Sequence, residues 1–246
     1  RFVDARTAQV VNTIEAAHDG AKSVKLTYAG SLNKLISVGF SRTSQRMFKI
    51  WDPRNTSKEV EKVDIDQAAG VIMPFFDYDT NVLYLAGKGD GNVRYYEISG
   101  DSPHCFPLGD YRSSVSAKGM AWVPKRGLDV MACESVRLMK LTTSAVEPLS
   151  FRVARKSDSF QDDLYPDTAA YFPSHSADEG LAGSDLPPQT MSLDPAVRGN
   201  EPTTPKEKKV FVAAKTQAQL QTELDEANER IKVLEARLAA AGLDTA

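Results

Sequence analysis

The strongest constraint on this chain is a strand ending that recurs. "RFVD" at residues 1–4, "KIWD" at 49–52 and "RYYE" at 94–97 each set an apolar or aromatic residue before a carboxylate. Val3, Trp51, Tyr96 and Lys140 mark one point in successive units, 48, 45 and 44 residues apart. A period near 40–45 residues, with one strand closing on Trp51-Asp52, is the signature of a four-stranded WD-repeat propeller blade. "AAHDG" (16–20) stands where such units carry a Gly-His element, and His18 is expected to bridge strands there. The Asp that usually completes the hydrogen-bonded set is missing from the turn after "LISVGF", so this repeat is irregular.

Short apolar runs between the marks read as strands: "VKLTYA", "KLISVGF", "MFKIWD", "VIMPFF", "VLYLAG", "VRYYEI", "GMAWVP", "RLMKL" and "PLSFRV". Gly, Asp, Asn and Pro punctuate them, as an all-β domain requires. In "GDGN" (89–92), Asp90-Gly91 is expected to supply the positive φ angles of a tight hairpin. Residues 1–157 therefore predict a partial β-propeller of about three blades plus the closing strand of a fourth. Propellers close with four or more blades, and open ends leave unpaired edges. The chain is thus expected to be the C-terminal part of a longer protein, or to need blades from elsewhere.

Charge divides the remainder. Residues 1–157 carry 22 basic and 17 acidic side chains, whereas residues 158–201 carry nine acidic ones against Arg198 alone. The acidic stretch opens with "FQDDLYPDTAAYFP" (160–173). It predicts an extended strap over 158–182 lying along the basic propeller. Phe160, Leu164, Tyr165, Tyr171 and Phe172 are its expected anchors, with Pro166 and Pro173 keeping it extended. Each anchor would contribute about 1.5–3 kcal/mol if fully buried, against about 0–1 kcal/mol per surface charge pair. Apolar contact should therefore dominate. Residues 183–205, rich in Pro, Asp, Ser and Thr, read as a flexible linker.

The last segment, 206–246, predicts a helix. Leu220, Leu224, Ala227, Ile231, Leu234, Leu238 and Ala241 are spaced alternately by four and three residues, an a/d coiled-coil seam. Gly242 follows where a helix C-cap belongs. Self-association through this helix is expected. In a parallel register Arg230 (g) meets Glu235 (e); in an antiparallel one Glu223 faces Arg237. A parallel trimer stands slightly ahead of an antiparallel dimer or tetramer.

Catalysis finds no footing. His18, His104 and His175 follow no ligand spacing, and His104 and Cys105 would point to opposite faces of a strand. Asp158, Asp162, Asp163 and Asp167 lack EF-hand spacing. P-loop, nucleophile-elbow and dinucleotide motifs are absent. Neither enzyme activity, cofactor nor metal is expected. Cys105 and Cys133 cannot make a disulfide framework, so a reduced cytosolic setting is the default. No apolar run reaches the roughly 18 residues a membrane helix needs, and no leader is expected. Basic spots at Arg42, Arg46, Lys49, Lys125-Arg126, Arg152 and Arg155-Lys156 lack interleaved aromatics, so they read as solvated or protein-contacting rather than nucleic-acid-binding.

Four stretches resemble the coronin family: "SVGFSRTSQRMFKIWD", "GVIMPFFDYDTNVLYLAGKGDGNVRYYEI", "GMAWVPKRGLDV" and "RKSDSFQDDLYPDT". The resemblance covers roughly residues 1–195, and the C-terminal helix by type. It implies a seven-bladed propeller, a C-terminal extension packed along it, a linker and a coiled coil. It also implies a non-enzymatic cytoskeletal scaffold in the cytoplasm that binds filamentous actin and influences the actin-related branching complex. The family's best-known actin-contacting arginine falls in the half of the propeller that this chain lacks. "RIKVLE" (230–235) resembles the family's trimerisation motif. Gly180 stands where the family usually has Trp, which predicts weaker docking nearby. The alternative is a propeller adaptor for trafficking or signalling complexes without actin contact.

Overall fold

A computed structural model describes residues 1–156 and 159–198, together with Leu224 and residues 228–232. The strands are β1 (Phe2–Asp4), β2 (Gln9–Asn12), β3 (Lys25–Ala29), β4 (Lys34–Phe40), β5 (Arg46–Trp51), β6 (Glu61–Asp66), β7 (Ile72–Asp77), β8 (Val82–Gly87), β9 (Val93–Ile98), β10 (Cys105–Tyr111), β11 (Gly119–Trp122), β12 (Glu134–Leu141) and β13 (Val146–Arg152). Beyond them come β14 (Thr168–Ala169), helix α1 (Ala177–Leu181), β15 (Thr190–Met191) and helix α2 (Pro195–Arg198).

The strands form antiparallel meanders: a two-stranded β1-β2 piece, sheets β3-β4-β5-β6 and β7-β8-β9-β10, and a three-stranded β11-β12-β13 sheet. Each is a run of sequence neighbours, the arrangement of propeller blades. The described chain opens on a strand pair, β1 with β2.

Strand β8 shows why its sequence is continuously apolar. Side chains alternate between the faces of a strand. Leu83 and Leu85 pack into a core with Ile36, Phe48, Ile50 and Ile72, from the preceding sheet and from β7. Tyr84 and Ala86 point the other way, into a second core with Val136 and Leu138 of β12. A strand buried on both faces has no polar side to offer, so "VLYLAG" does not alternate. The outermost strands do the reverse. Along β10 every residue from Phe106 to Asp110 is exposed, and β6 reads "EKVDID" with no buried residue.

Two sequence expectations about the repeats change. Lys140 lies on β12, the second strand of its sheet, whereas Trp51 and Tyr96 lie on the third strands β5 and β9. The link Val123–Cys133 between β11 and β12, which contains two short 3-10 turns, shifts the spacing. In the β8–β9 hairpin the positive φ falls on Gly89, at 90°, and not on Asp90-Gly91. The loop spans Lys88–Asn92, so the two-residue turn gives way to a five-residue one. Asp90 folds back instead, its Oδ1 accepting from the Asn92 amide at 3.1 Å.

Residues 1–201 form one compact unit and 202–246 another. In the second, Leu224 and residues 228–232 are helical.

Candidate functional site

Trp51 closes β5 with its indole buried. Its Nε1 donates to Ser37 Oγ at 2.9 Å, and His18 Nε2 bonds the same hydroxyl at 2.9 Å. The hydroxyl of β4 thus joins the third strand to the segment before β3. His18 Nδ1 is buried without a partner, the vacancy expected where the turn Ser41–Gln45 lacks an Asp. Burial, with Lys49 nearby, lowers the His18 pKa. Asp52 binds Arg54 at 2.7 Å and Lys34 at 3.2 Å. These bonds, Arg54 first, hold its carboxyl below the usual range.

Adjacent sheets are tied by Arg46, whose sequence context reads as solvated or protein-contacting. Arg46 is 1% exposed. Its Nε and Nη2 grip Asp66 at 2.5 and 2.7 Å, while Nη1 reaches Asp90 at 2.8 Å and the Gly70 carbonyl at 3.2 Å. Arg94 of the neighbouring sheet closes on Asp66 at 2.6 Å. Burial opposes the Arg46 charge, but the bonds to Asp66 and Asp90 outweigh it and raise its pKa. The same contacts, Arg46 first, lower that of Asp66. A planar fork with five donors suits this bridging. The sequence signal was an arginine opening a strand that is apolar apart from Lys49. Lys125 belongs with it: its ammonium is largely buried, donating to Asp77 at 2.7 Å and to the Ser135 carbonyl at 2.9 Å.

Three of the five expected anchors, Phe160, Leu164 and Tyr165, pack against the β11–β12 connection. Leu164 and Tyr165 are buried with Val130 and Cys133 of the β11–β12 connection, and Phe160 and Val153 pack against them. Phe160 stacks on Tyr165 at 5.7 Å between centroids. Tyr171 and Phe172 do not anchor anything: they are 70% and 45% exposed, in edge contact with one another. Leu193, 1% exposed, completes the cluster, and Met191 is also buried. Both fall in 183–205, expected to be a free linker. Instead β15 pairs with β14, Thr168 opposite Met191 and Ala169 opposite Thr190. The chain leaves the body at Thr168, runs through α1 and returns at Met191. Polar contacts accompany this packing: Arg155 pairs with Asp163 at 2.5 Å, and Arg126 donates to the Ala169 carbonyl at 2.8 Å.

Gly180 lies within α1, whose first turn is closed by a Ser176–Glu179 capping box. A Cβ there would sit 3.1 Å from His175 Nε2, so a larger side chain would displace the imidazole. No residue of α1 is buried.

Beside the strap is a cleft of about 200 Å³, walled by Tyr78, Trp122, Val123 and Pro124, with Asp79 and Lys125 among its polar groups. Tyr78 is 49% exposed and Trp122 36%. Among the described residues no group of three or more His, Cys, Asp or Glu is arranged to hold a metal. Burial pushes the Cys105 thiol up to about 12, which removes its nucleophilic form at neutral pH. No described helix is long and apolar enough to cross a membrane.

Of the expected coiled-coil residues, Leu224 and Ile231 are helical and 54% and 50% exposed, and Arg230 lies in the same helical backbone. Leu220, Glu223, Ala227, Leu234, Glu235, Arg237, Leu238 and Ala241 lie outside the described residues.

Comparison with known proteins agrees with the fold. A family profile described as a type of WD40 repeat matches residues 146–201. Coronin-A of Dictyostelium discoideum is 45% identical over 193 residues, covering 78% of this chain and 43% of that protein. Coronin-2A of Mus musculus is 47% identical over 197 residues, covering 79% and 37%. The solved WD40 domain of Toxoplasma gondii coronin superposes with a TM-score of 0.73 at 36% identity, over 78% of this chain and 50% of that one. The chain spans less than half the length of the curated relatives it matches. By sequence and by fold, it belongs to the coronin family of WD-repeat proteins.

Proposed function

We propose that the chain is part of an actin-filament-binding scaffold in the cytoplasm, associated with the cytoskeleton. The propeller offers a surface to filaments, and the C-terminal helix gathers several propellers. The observation that carries this is identity of 45–47% to coronins over nearly four-fifths of the chain. Self-association is supported by Leu224 and Ile231, seven residues apart on helical backbone and about half open to solvent. Joining weak sites raises avidity without any new contact. The actin-related branching complex is the second partner in this scheme.

In the domain scheme, the propeller runs to about residue 157, and the strap continues through the buried Leu193 to α2. The coiled coil takes residues 206–246. Trp51, His18 and Asp52 tie strands within one sheet, and Asp90 with Arg46 ties two sheets.

The test is high-speed co-sedimentation of the full-length protein with actin filaments at low salt. Saturable pelleting is expected. Protein left in the supernatant at every filament concentration would sink the proposal. A pull-down dominated by coat or signalling proteins, without actin, would replace it with the adaptor alternative.

A further inference from the structure

Residues 13–24 join the β1–β2 pair to the sheet β3-β4-β5-β6. The Gly20 amide fastens this segment to the Phe40 carbonyl at 2.8 Å, and Lys22 donates to the Ala69 carbonyl at 2.6 Å. Between β2 and those bonds, His18 holds on through Ser37 Oγ. Its ring is pressed onto β4: a Cβ on Gly39 would stand 2.5 Å from the imidazole Cγ. Only a glycine lets ring and strand approach so closely. Two residues earlier, Ala16 is in left-handed backbone at φ 47°. A residue other than glycine keeps that conformation only where its surroundings fix it.

The protons at this contact can be counted. Ser37 Oγ accepts from the Trp51 indole at 2.9 Å. Neutral His18 has one ring nitrogen that donates and one that accepts, so Nε2 can bond the hydroxyl in either sense. A protonated ring has two donors and no acceptor. Nε2 then can no longer take the Ser37 proton, and Nδ1 becomes a charged N–H enclosed without an acceptor among the described residues. A buried donor left unpaired is costly, and more so when it carries charge. The charged groups facing the ring are Asp19 on its own segment, Lys49 on β5 and Glu59 in the loop beyond it. Glu59 is engaged with Lys49 at 3.5 Å. Burial lowers the His18 pKa and Lys49 adds to that, while Ser37, Asp19 and Glu59 offset it in part.

We propose that His18 is a proton-sensitive latch: the neutral ring fastens residues 13–24 to β4 and β5 through Ser37, and protonation loosens that segment and with it the join between β1–β2 and the neighbouring sheet. The ordinary histidine pKa is 6.5 and the value in the closed latch is lower. The contribution of the neutral ring is therefore complete above 6.5 and is lost as pH falls from there to the folded pKa. Within that window each unit of pH raises the opening constant by up to about tenfold.

Amide hydrogen exchange of the intact chain, corrected for intrinsic rates, tests this alongside an NMR titration of the His18 ring. The ring should titrate below 6.5. Below that pH the Gly20 amide should lose protection by up to about tenfold per unit. The Val153 amide, bonded to the Cys133 carbonyl at 2.9 Å and remote from the latch, should keep its own. His18→Gln cannot titrate, so Gly20 protection should then be independent of pH. If that variant does not fold, the ring titration of the parent still decides. A ring pKa at or above 6.5, Gly20 protection unchanged by acid, or Gly20 and Val153 losing protection together would overturn the proposal.

Discussion

Leu193 offers the sharpest contrast between what the local sequence suggests and what the packing does. It lies in "TMSLDP", a polar stretch, yet it is 1% exposed against Val130, Cys133, Leu164 and Tyr165. Leu193→Ala removes that packing and leaves a void among Val130, Cys133, Leu164 and Tyr165. Buried Leu→Ala changes cost about 2–5 kcal/mol. The cluster is small and lies at the edge of the body, so about 3 kcal/mol is expected. In a unit of some 200 residues this lowers the melting temperature by about 6–12 °C. Tyr171→Ser is the control. Its ring is 70% exposed, so the change should stay within about 0.5 kcal/mol. Urea and thermal unfolding of the two variants beside the parent give both values. If Leu193→Ala unfolds with the parent, or Tyr171→Ser costs as much, the strap is not held by the cluster described.

Arg46→Met should cost about 3 kcal/mol in the same unfolding assay, because it strands Asp66 and Asp90 without their common cation. Arg46→Lys should recover less than half, since a single ammonium cannot span both carboxylates; full recovery would contradict the bridging role. Asp66 has a folded pKa below its ordinary value of 3.8, so its contribution is present above that value and lost as pH falls through the folded pKa. Asp66→Asn should therefore flatten the acid limb of stability below about pH 4, and an unchanged acid limb would remove Asp66 from the account. In sedimentation equilibrium, Arg230→Ala should dissociate a parallel trimer, whereas a larger effect from Arg237→Ala selects the antiparallel register. A monomeric parent would dismiss self-association.

The inner and middle strands were legible because burial on both faces demands apolar residues: β8 is apolar throughout, and within β4 and β5 only Ser37 and Lys49 interrupt the run. The outer strands were not. In β6 only Val63 and Ile65 alternate with charged residues, and β10 contains Pro107 and Gly109, so the apolar signal in each is short or broken. They form because an antiparallel neighbour offers them hydrogen bonds. The spaced marks identified the repeat but drifted at Lys140, where the long β11–β12 connection inserts residues without changing the fold. Within the strap, aromatic residues and prolines suggested anchors, and the structure treats these aromatics differently. Phe160 and Tyr165 pack on the body, while Tyr171 and Phe172 project from the excursion between β14 and β15. Which aromatic is buried depends on where the strap leaves the surface, and that is set by the distant pairing of Thr168 with Met191. Arg46 was hidden for a related reason. Its three partners come from positions 20 to 44 residues away, and composition alone makes it one more surface cation.

The central claim is that propellers of this chain bind filaments and that its terminal helix multiplies their grip. The direct measurement is a pair of actin co-sedimentation isotherms, one for the full-length protein and one for the same protein ending at Glu201. Both should pellet with filaments, and the shortened form should bind with an apparent affinity lower by about 100-fold or more, the scale at which linked sites reinforce one another. Superimposable isotherms would remove the helix from the mechanism, and no pelleting by either protein would contradict the filament-binding account itself.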